Sequence, residues 1–438
     1  MRNYPTIGIQ AADILLPKHG SDLFKWATIA CDQFTSQPEY WEKVRQTVGT
    51  DPSTYHLILP EVYLNTPEET TRVQSTRQAM LRYLAEGLFE SYEGMIFVER
   101  SVAGRTRHGI MLALDLEKYD FNKGSKTLIR ATEGTILDRL PPRMRIREGA
   151  ALEIPHILVL IDDPHQTVIE PIRAHLAKLP KVYDTDLMLG SGHLTGHFIS
   201  DPALEQQIVA ALERLASPSV FSSKYGVSED EGVLLFAVGD GNHSLATAKS
   251  IWEKIKSKVG MNHPARYALV ELENVHDEGL AFEPIHRVIF NAHSDLVTAL
   301  TSFYGSQFSL TDCVPVAEMI STVNTQTGTS HVIGVITPTG PKLLTIHNPD
   351  ANLPVGSLQS FLDEWLKQGG AERIDYVHDT EPVLELGSQP GNLGFILPAM
   401  EKSDLFKTVI LDGALPRKTF SMGESIEKRF YMECRRIA

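Results

Sequence analysis

Short runs of apolar and β-branched residues alternate along the chain with amphipathic stretches, and turn residues separate the two kinds of segment. This alternation is typical of an α/β protein whose strands form a mixed α+β sheet. The pattern predicts strands at 95–98, 110–116, 157–161, 233–238, 267–272, 332–336 and 408–411.

Three amphipathic stretches predict helices that face a core. The residues TPEE at 66–69 supply an N-cap, a first-turn proline and a carboxylate, and indicate a helix to about residue 88. Asp-Pro at 201–202 opens a second helix. The third has a single apolar stripe over 358–366 and ends at two glycines. We assign these stripes to packing alone.

The length of 438 residues is enough for two lobes with separate cores. We place the boundary near 291–302, after the strand-like segment at 288–290. We predict an N-terminal α/β lobe over 1–295 and a C-terminal α/β lobe over 296–438. The last segment of the C-terminal lobe is expected to pack back on the core.

Composition narrows the class of partner. Lysine and arginine total 41 against 55 acidic residues, a formal net charge of −14, so we expect no nucleic-acid partner. No stretch reaches the roughly 18 apolar residues of a membrane span, so we expect no membrane partner. The 3 cysteines are far apart and form no CxxC pair, which predicts a reducing, cytoplasmic location. Any bound anion must therefore be held by local groups.

The segment 233–256 is the most informative part of the sequence. A buried strand leads into Gly239, Asp240, Gly241 and His243, and a helix follows. Such a junction directs unpaired N–H groups and a partial positive charge at one point, which suits a phosphate. The two glycines let the backbone approach a ligand closely and take a positive φ. The Asp240 carboxylate can hold Mg²⁺ or accept a proton, and the His243 ring can donate a hydrogen bond to a phosphate oxygen. A plain turn with Ser244 as a helix cap explains the same residues, and both interpretations stay open.

These residues also carry a family resemblance. The segment DGNHSLATA at 240–248 resembles the DGHHR-type signature of domain-of-unknown-function family 1015. Other segments agree with that family in the same order along the chain: ACDQF at 30–34, LIRATE at 128–133, residues 157–164, PIHR at 284–287 and LPRKTF at 415–420. The ordered set spans nearly the whole chain.

The family's loop is similar to the phosphate-binding loop of the ParB and sulfiredoxin group, which includes nucleotide-dependent kinases of free serine. The resemblance implies a ParB/sulfiredoxin-like phosphate-binding core, with Asp240, Asn242 and His243 facing a nucleotide phosphate. This chain departs from the signature at Asn242, which replaces a histidine, and at Ser244, which replaces an arginine. Loss of the arginine removes a charged bidentate donor, so another cation must replace it or the activity differs.

Replacement cations are found between residues 126 and 148. This stretch contains six basic and three acidic residues, which gives it a local net charge of +3. We take Arg130 and Arg139 as the phosphate-binding candidates. Arg143, Arg145 and Arg147 fit either a constrained phosphate-binding loop or the solvated face of an edge strand.

The remaining candidates are more scattered. Asp32 suits a carboxylate that takes the proton of an attacking hydroxyl. His286, Arg287 and Arg417, in segments that resemble the family, are candidates for substrate binding.

The glycine-rich segment 190–197 supplies His193, a further candidate for substrate binding. His193 and His197 are four residues apart, so we consider a metal site, a ligand-covering loop and a plain surface loop. Three glycines argue against a helix there.

These features together suggest a nucleotide-dependent phosphotransferase. ATP or ADP would bind at 239–244 with Mg²⁺ on Asp240, and the acceptor would be a small hydroxy metabolite. The resemblance implies free serine or phosphoserine, with the reaction running in either direction. Two alternatives remain open: a nucleotide-binding regulatory module without turnover, and a metal-dependent hydrolase built on His193, His197 and Asp240.

Overall fold

The computed structural model describes residues 1–438 except for the side chain of Arg139. The chain divides into two compact units: unit 1 comprises Met1–Leu280 and Gly423–Ala438, and unit 2 comprises Ala281–Met422. The division therefore falls earlier than residue 295, and the last residues of the chain belong to unit 1. The reason is that two short C-terminal strands pair with strands near residues 28 and 152 of the first unit.

The structure confirms helices in the amphipathic stretches near 66–88, 201–215 and 358–366, which correspond to α3, α5 and α10 below. The predicted start of the first is wrong, because α3 begins at Glu69 and not at Pro67. The α-helices are α1 (Leu23–Trp26), α2 (Pro38–Val48), α3 (Glu69–Ala85), α4 (Leu140–Arg147), α5 (Pro202–Leu215), α6 (Pro218–Tyr225), α7 (Asn242–Val259), α8 (Leu296–Tyr304), α9 (Val316–Asn324), α10 (Pro354–Lys367), α11 (Thr380–Gly387) and α12 (Lys402–Leu411). None of the helices in the described part of the chain has the length and apolar character needed to cross a bilayer.

The strands confirm six of the predicted segments, as β5, β6, β10, β13, β14 and β18. In chain order the strands are β1 (Arg2–Tyr4), β2 (Ile9–Pro17), β3 (Thr28–Ile29), β4 (Phe89–Gly94), β5 (Ile96–Val102), β6 (Arg105–Asp115), β7 (Tyr119–Asp120), β8 (Ile129–Ala131), β9 (Leu152–Glu153), β10 (Leu158–Ile161), β11 (Lys181–Asp186), β12 (His193–Phe198), β13 (Phe236–Asp240), β14 (Tyr267–Asn274), β15 (Phe282–Pro284), β16 (His286–Ala292), β17 (Phe308–Asp312), β18 (His331–Thr337), β19 (Gly340–Ile346), β20 (Ala371–Val377), β21 (Leu393–Ile396), β22 (Phe420–Met422), β23 (Phe430–Tyr431) and β24 (Arg435–Arg436).

Unit 1 is built on a 12-stranded mixed sheet whose main path runs β11-β12-β5-β6-β14-β10-β13-β8-β7. Strand β10 is parallel to β14 and antiparallel to β13, and β13 is parallel to β8. Alternate residues of β6 pack into two different hydrophobic cores. Ile110 and Leu112 belong to the core on one face of the sheet, and Met111 and Ala113 belong to the core on the other face. Both faces of the sheet are therefore covered, which explains why its central strands are continuous apolar runs.

Unit 2 contains a six-stranded sheet in the order β17-β19-β18-β21-β16-β20, with antiparallel pairing throughout. Helix α10 buries Leu358, Phe361, Leu362 and Trp365, which are the apolar stripe seen in the sequence. The chain is thus a mixed α/β protein, as predicted.

Three local predictions are wrong. Residues 408–411 were predicted as a strand but belong to α12. The prediction followed a short β-branched run, whereas the buried residues of the whole segment, Leu405, Phe406, Val409 and Ile410, have helical spacing. Residues 143–147 form neither loop nor edge strand but the end of α4. The two prolines at 141–142 fall in its first turn, where a missing N–H costs nothing.

The third wrong prediction is the loop at 190–197. It is a loop only at its start, because His193–Phe198 forms β12, paired with β5 and β11.

Candidate phosphate-binding site

The junction between β13 and α7 has the geometry expected of an anion site. Gly239 continues the extended strand, whereas Gly241 is the N-cap of α7 and has a φ of +79°. A Cβ on Gly241 would lie 3.1 Å from the Cα of Ile157, so the positive φ and the tight packing both favour glycine here. Because a glycine N-cap has no side chain, no side chain caps the N-terminus of this 18-residue helix, where the helix dipole favours an anion. Within this turn, Ser244 donates its N–H to the carbonyl of Gly241.

Asp240, the last residue of β13, forms an ion pair that the sequence does not suggest. Its Oδ2 lies 3.2 Å from Nζ of Lys428, and its Oδ1 accepts the N–H of Gly241 at 2.8 Å. Burial alone would raise the pKa of Asp240, but the charges of Lys428 and His156 outweigh it and hold the pKa below its ordinary value. Asp240 is therefore ionised at neutral pH, and a lysine stands beside the helix N-terminus.

Asp32 lies close to the same histidine. Oδ2 of Asp32 is 4.0 Å from Nε2 of His156, and Nδ1 of His156 is 2.9 Å from the hydroxyl of Tyr431. That hydroxyl also accepts the N–H of Cys31 at 3.0 Å. One ring nitrogen of His156 is therefore held by Tyr431, and the other lies on the side of Asp32. His156 thus lies beside Asp32, and its charge also acts on Asp240.

Glu61 and Arg143 extend this group. Nη2 of Arg143 is 2.5 Å from Oε1 of Glu61, and the N–H of Glu61 donates to the carbonyl of Cys31 at 2.7 Å. Burial raises the pKa of Glu61, and the nearby charge of Asp32 adds to the rise, against the opposing effect of Arg143 and His156. Of the three arginines at 143–147, the structure therefore joins Arg143 to the cluster. Arg145 pairs with Glu69 and Arg147 with Glu153.

Asn242 and His243 hold a neighbouring segment in place. The amide of Asn242 accepts the N–H of Thr132 at 3.2 Å and donates to the carbonyl of Val238 at 3.3 Å. Nε2 of His243 accepts the N–H of Ile136 at 3.3 Å, so this nitrogen carries no proton to give to a phosphate. Both side chains anchor residues 132–136 to the start of α7.

Arg130 is a structural residue. Its guanidinium is buried and donates to the carbonyls of Thr127, Glu231 and Gly232 at 2.7 to 3.0 Å. Burial lowers its pKa to about 10. The backbone thus occupies the Nε and Nη2 donors of Arg130, which gives this side chain a structural role beside the predicted phosphate contact. Arg139 lies outside the described residues.

The two histidines of segment 190–197 do not form a metal site. Four residues along a strand separate them by about 13 Å. His193 is instead held between Asp184 and Asp186, each at 2.7 Å, which raises its pKa. In the described part of the chain, no group of three His, Cys, Asp or Glu side chains is arranged to bind a metal. The histidine-centred hydrolase site is therefore not formed.

The other three substrate-binding candidates belong to unit 2. His286 is buried and accepts the N–H of Leu397, and burial lowers its pKa to about 4. Arg287 is fully buried and donates to Gln359 and to the carbonyl of Arg417. Arg417 forms an exposed ion pair with Asp363 at 2.5 Å. All of these contacts lie within unit 2.

His156, Lys428 and Tyr431 are members of the site that are not among the site residues predicted above. Lys428 lies in a basic patch near the C-terminus, but nothing there points to Asp240. His156 immediately precedes the segment 157–164 that resembles the family. Only the return of the C-terminal strands to unit 1 brings these residues together.

Comparison with known proteins gives a family match. The model of a family described as "Protein of unknown function (DUF1015)" matches residues 14–365. No curated protein matches the chain. A solved structure of free serine kinase in complex with AMP is 10% identical, with a TM-score of 0.38 over 74% of this chain and 90% of that one. SbnI with C-terminal truncation from Staphylococcus aureus is 9% identical, with a TM-score of 0.35 over 72% and 83% of the two chains.

Proposed function

This chain belongs to the DUF1015 family, and from its own site we propose that it is a nucleotide-dependent phosphotransferase acting on a small hydroxyl-bearing metabolite. The observation that carries the proposal is the Asp240–Lys428 pair at the uncapped N-terminus of α7, with the Asp32 carboxylate close to His156. The Lys428 ammonium beside Asp240 would bind a phosphate group. The Asp32 carboxylate near His156 would accept the proton of a hydroxyl group. Free serine or phosphoserine is the substrate that the family resemblance favours.

The nucleotide phosphate would be bound by the N-terminus of α7 and by the side chain of Lys428 together. The positive end of the α7 dipole and the ammonium of Lys428 neutralise phosphoryl charge, which is how phosphoryl transfer is generally accelerated. Lys428 is 13% exposed, so its charge is screened less than that of a surface lysine. It supplies the cation that the family signature places at position 244, where this chain has serine.

The acceptor end would use Asp32. As the acceptor oxygen bonds to phosphorus and the bond to the nucleotide's leaving oxygen breaks, the hydroxyl proton passes to the Asp32 carboxylate. His156 lies 4.0 Å from that carboxylate and is oriented by Tyr431. We propose that His156 positions Asp32 and stabilises its charge.

The residues present fit Mg²⁺ as the accompanying cation. Mg²⁺ in such sites takes one or two carboxylates and completes its shell with phosphate oxygens and water. Asp240 is ionised and partly exposed, and its oxygens keep lone pairs beyond those used by Lys428 and Gly241. Asp240 would hold the ion, and bound Mg²⁺ would neutralise phosphate charge on the nucleotide.

The test is direct transfer. Purified protein is incubated with Mg²⁺, L-serine and either ATP or ADP, and in the reverse direction with O-phospho-L-serine and the matching nucleotide, and products are followed by ³¹P NMR. We expect transfer in at least one direction and its loss in Lys428→Met. Lys249→Met is the matched control, because Lys249 is similarly buried on α7 but pairs with Glu253.

Two outcomes would contradict the proposal. Folded protein that transfers phosphate in neither direction excludes this reaction. If ADP raises the melting temperature under those conditions and is recovered unchanged after hours, the protein is a nucleotide-binding regulatory module instead.

A further inference from the structure

Two adjacent apolar side chains are exposed beside the first turn of α7. Ile136 is 48% exposed and Leu137 is 65% exposed, although Thr132 and Leu140 on either side of them are buried. A single exposed apolar residue is common on protein surfaces. Two in succession next to a candidate ligand site offer apolar area that a bound group would remove from water. We call Ile136 and Leu137 the apolar platform.

Hydrogen bonds fix the platform to the start of α7. The N–H of Ile136 donates to Nε2 of His243 at 3.3 Å, and the N–H of Thr132 donates to Oδ1 of Asn242 at 3.2 Å. The hydroxyl of Thr132 donates to the carbonyl of Val238 at 2.6 Å. Asn242 and His243 are the first two residues of α7. The platform therefore lies against the helix turn that would receive the nucleotide phosphate.

The chain that carries the platform continues to the acceptor side of the proposed site. It enters α4, where Arg143 pairs with Glu61 at 2.5 Å. The N–H of Glu61 donates to the carbonyl of Cys31, the residue before Asp32, at 2.7 Å. The segment with the apolar platform is thus attached to both halves of the proposed site.

The polar groups near the platform give little means of distinguishing one base from another. The N–H groups of Thr132 and Ile136 are already bonded to α7. The hydroxyl of Thr135 is buried without a hydrogen-bond partner. Because a hydroxyl can both donate and accept, it can pair with the amino group of adenine or with the carbonyl oxygen of guanine.

From this arrangement we propose that Ile136 and Leu137 contact the face of the nucleobase, and that this apolar recognition accepts adenine and guanine alike. The inference rests on the proposed function. A ribose separates the base of a nucleotide from its phosphates, so the base must lie beside the N-terminus of α7 and not on it. Every base has a π-face that can pack on a side chain whatever groups its edge carries.

The size and surroundings of the platform favour a nucleotide over a protein partner. A stable protein interface buries about 800 Å² on each partner, which is far more than two side chains supply. A base needs only a small apolar surface, and small-molecule sites generally combine an apolar lining with a few polar groups. Beside the platform, the N-terminus of α7 and the ammonium of Lys428 supply the positive charge that the phosphates of the same molecule require.

The test separates the contribution of the base from that of the phosphates. Pyrophosphate, ADP and GDP are each titrated into the full-length protein with Mg²⁺ and followed by isothermal titration calorimetry. We expect the affinities for ADP and GDP to agree within about tenfold. Both should exceed the affinity for pyrophosphate by more than about tenfold, because burial of apolar surface adds to the phosphate contacts.

Two variants test the platform itself. Ile136→Ser and Leu137→Ser should each weaken ADP and GDP binding about tenfold and leave pyrophosphate binding unchanged. Both side chains are exposed, so the variants should fold, and the melting temperature without ligand checks this. Leu81→Ser is the matched control, because Leu81 is 61% exposed on α3 and makes none of the site contacts described above. It should change none of the three affinities.

Four outcomes overturn the platform. They are a gain of less than about tenfold from pyrophosphate to ADP, a preference of more than about tenfold for one purine, unchanged ADP affinity in both variants, and no binding of either nucleotide. If the variants keep their ADP affinity but change the oligomeric state in gel filtration, the patch is an interface between copies of the chain.

The platform and the proposed reaction fail separately. ADP binding that depends on Leu137, without any phosphoryl transfer, refutes the reaction and keeps the platform. Phosphoryl transfer in a protein whose ADP affinity is the same in both variants as in the wild type keeps the reaction and refutes the platform.

Discussion

Replacing Lys428 with methionine should destabilise unit 1 most at neutral pH and least in acid. The substitution keeps much of the apolar stem and removes the ammonium that lies 3.2 Å from Asp240. At that separation two unit charges attract by about 5 kcal/mol at an effective dielectric constant of about 20. Part of this is offset because methionine needs no desolvation of a charge, which leaves a net loss of about 2 kcal/mol in the free energy of unfolding.

The pH dependence follows from the pKa of Asp240. In the wild type the folded-state pKa is lowered, so the pair's contribution is present above the ordinary value of 3.8 and is lost as pH falls through the folded-state pKa. In Lys428→Met the largest charge opposing the effect of burial is gone. The pKa of Asp240 then rises. As the pH falls, protonation of Asp240 removes the buried charge that has lost its partner, and this lessens the destabilisation of the variant. The difference between the two proteins should shrink steadily from pH 7 towards pH 4.

The assay is urea unfolding followed by tryptophan fluorescence. Three of the 4 tryptophans, Trp26, Trp41 and Trp252, belong to unit 1, and Trp365 belongs to unit 2. A Trp365→Phe background therefore makes the signal report unit 1 alone.

Lys249→Met is the control for this assay. Its partner Glu253 is 41% exposed and stays hydrated, so we expect a loss of less than about 1 kcal/mol. Equal losses in the two variants, or a difference that does not change with pH, would refute the reasoning.

The remaining predictions concern single side chains. Asp32→Asn should lower phosphoryl transfer to L-serine by roughly 10²- to 10⁴-fold in ³¹P NMR while ADP still raises the melting temperature; retention of the wild-type rate would remove Asp32 from the mechanism. Arg130→Met should cost about 2 kcal/mol in urea unfolding and leave ADP affinity unchanged, since its Nε and Nη2 donors bind backbone carbonyls. Because Asp186 and Asp184 raise the pKa of His193, its stabilisation is present below pH 6.5 and lost as pH rises through that raised pKa. His193→Gln should therefore lower the urea midpoint at pH 6 and not at pH 9, and equal effects at both would contradict the assignment.

The sequence predicts this fold well where periodicity and packing agree. Helix α10 follows from its apolar stripe, because the same spacing that marks a helix also faces the core of unit 2. Segments 143–147 and 408–411 fail for the opposite reason. Alternating arginines and a short β-branched run fit a strand locally, and only the contacts of the whole helix decide against it.

Within the site, the sequence finds residues whose role is set by the local backbone. Asp240 and Gly241 are recognisable because a strand, a positive φ and a helix N-terminus follow one another directly. Arg130 shows the limit of such reasoning. Its charge suggests a phosphate, but two of the carbonyls that occupy it come from Glu231 and Gly232, about a hundred residues later.

The residues that complete the site are contributed by the chain's return to unit 1 after unit 2. Strand β23 pairs with β3, which brings Tyr431 to His156 and fixes the preceding Lys428 beside Asp240. Because a strand pairing with high sequence separation forms only when unit 1 is folded, the charge on the phosphate site and the orientation of the histidine arise together. Local sequence cannot encode that coupling. It follows that the site's electrostatics depend on the β3–β23 pairing as much as on the turn at 239–244.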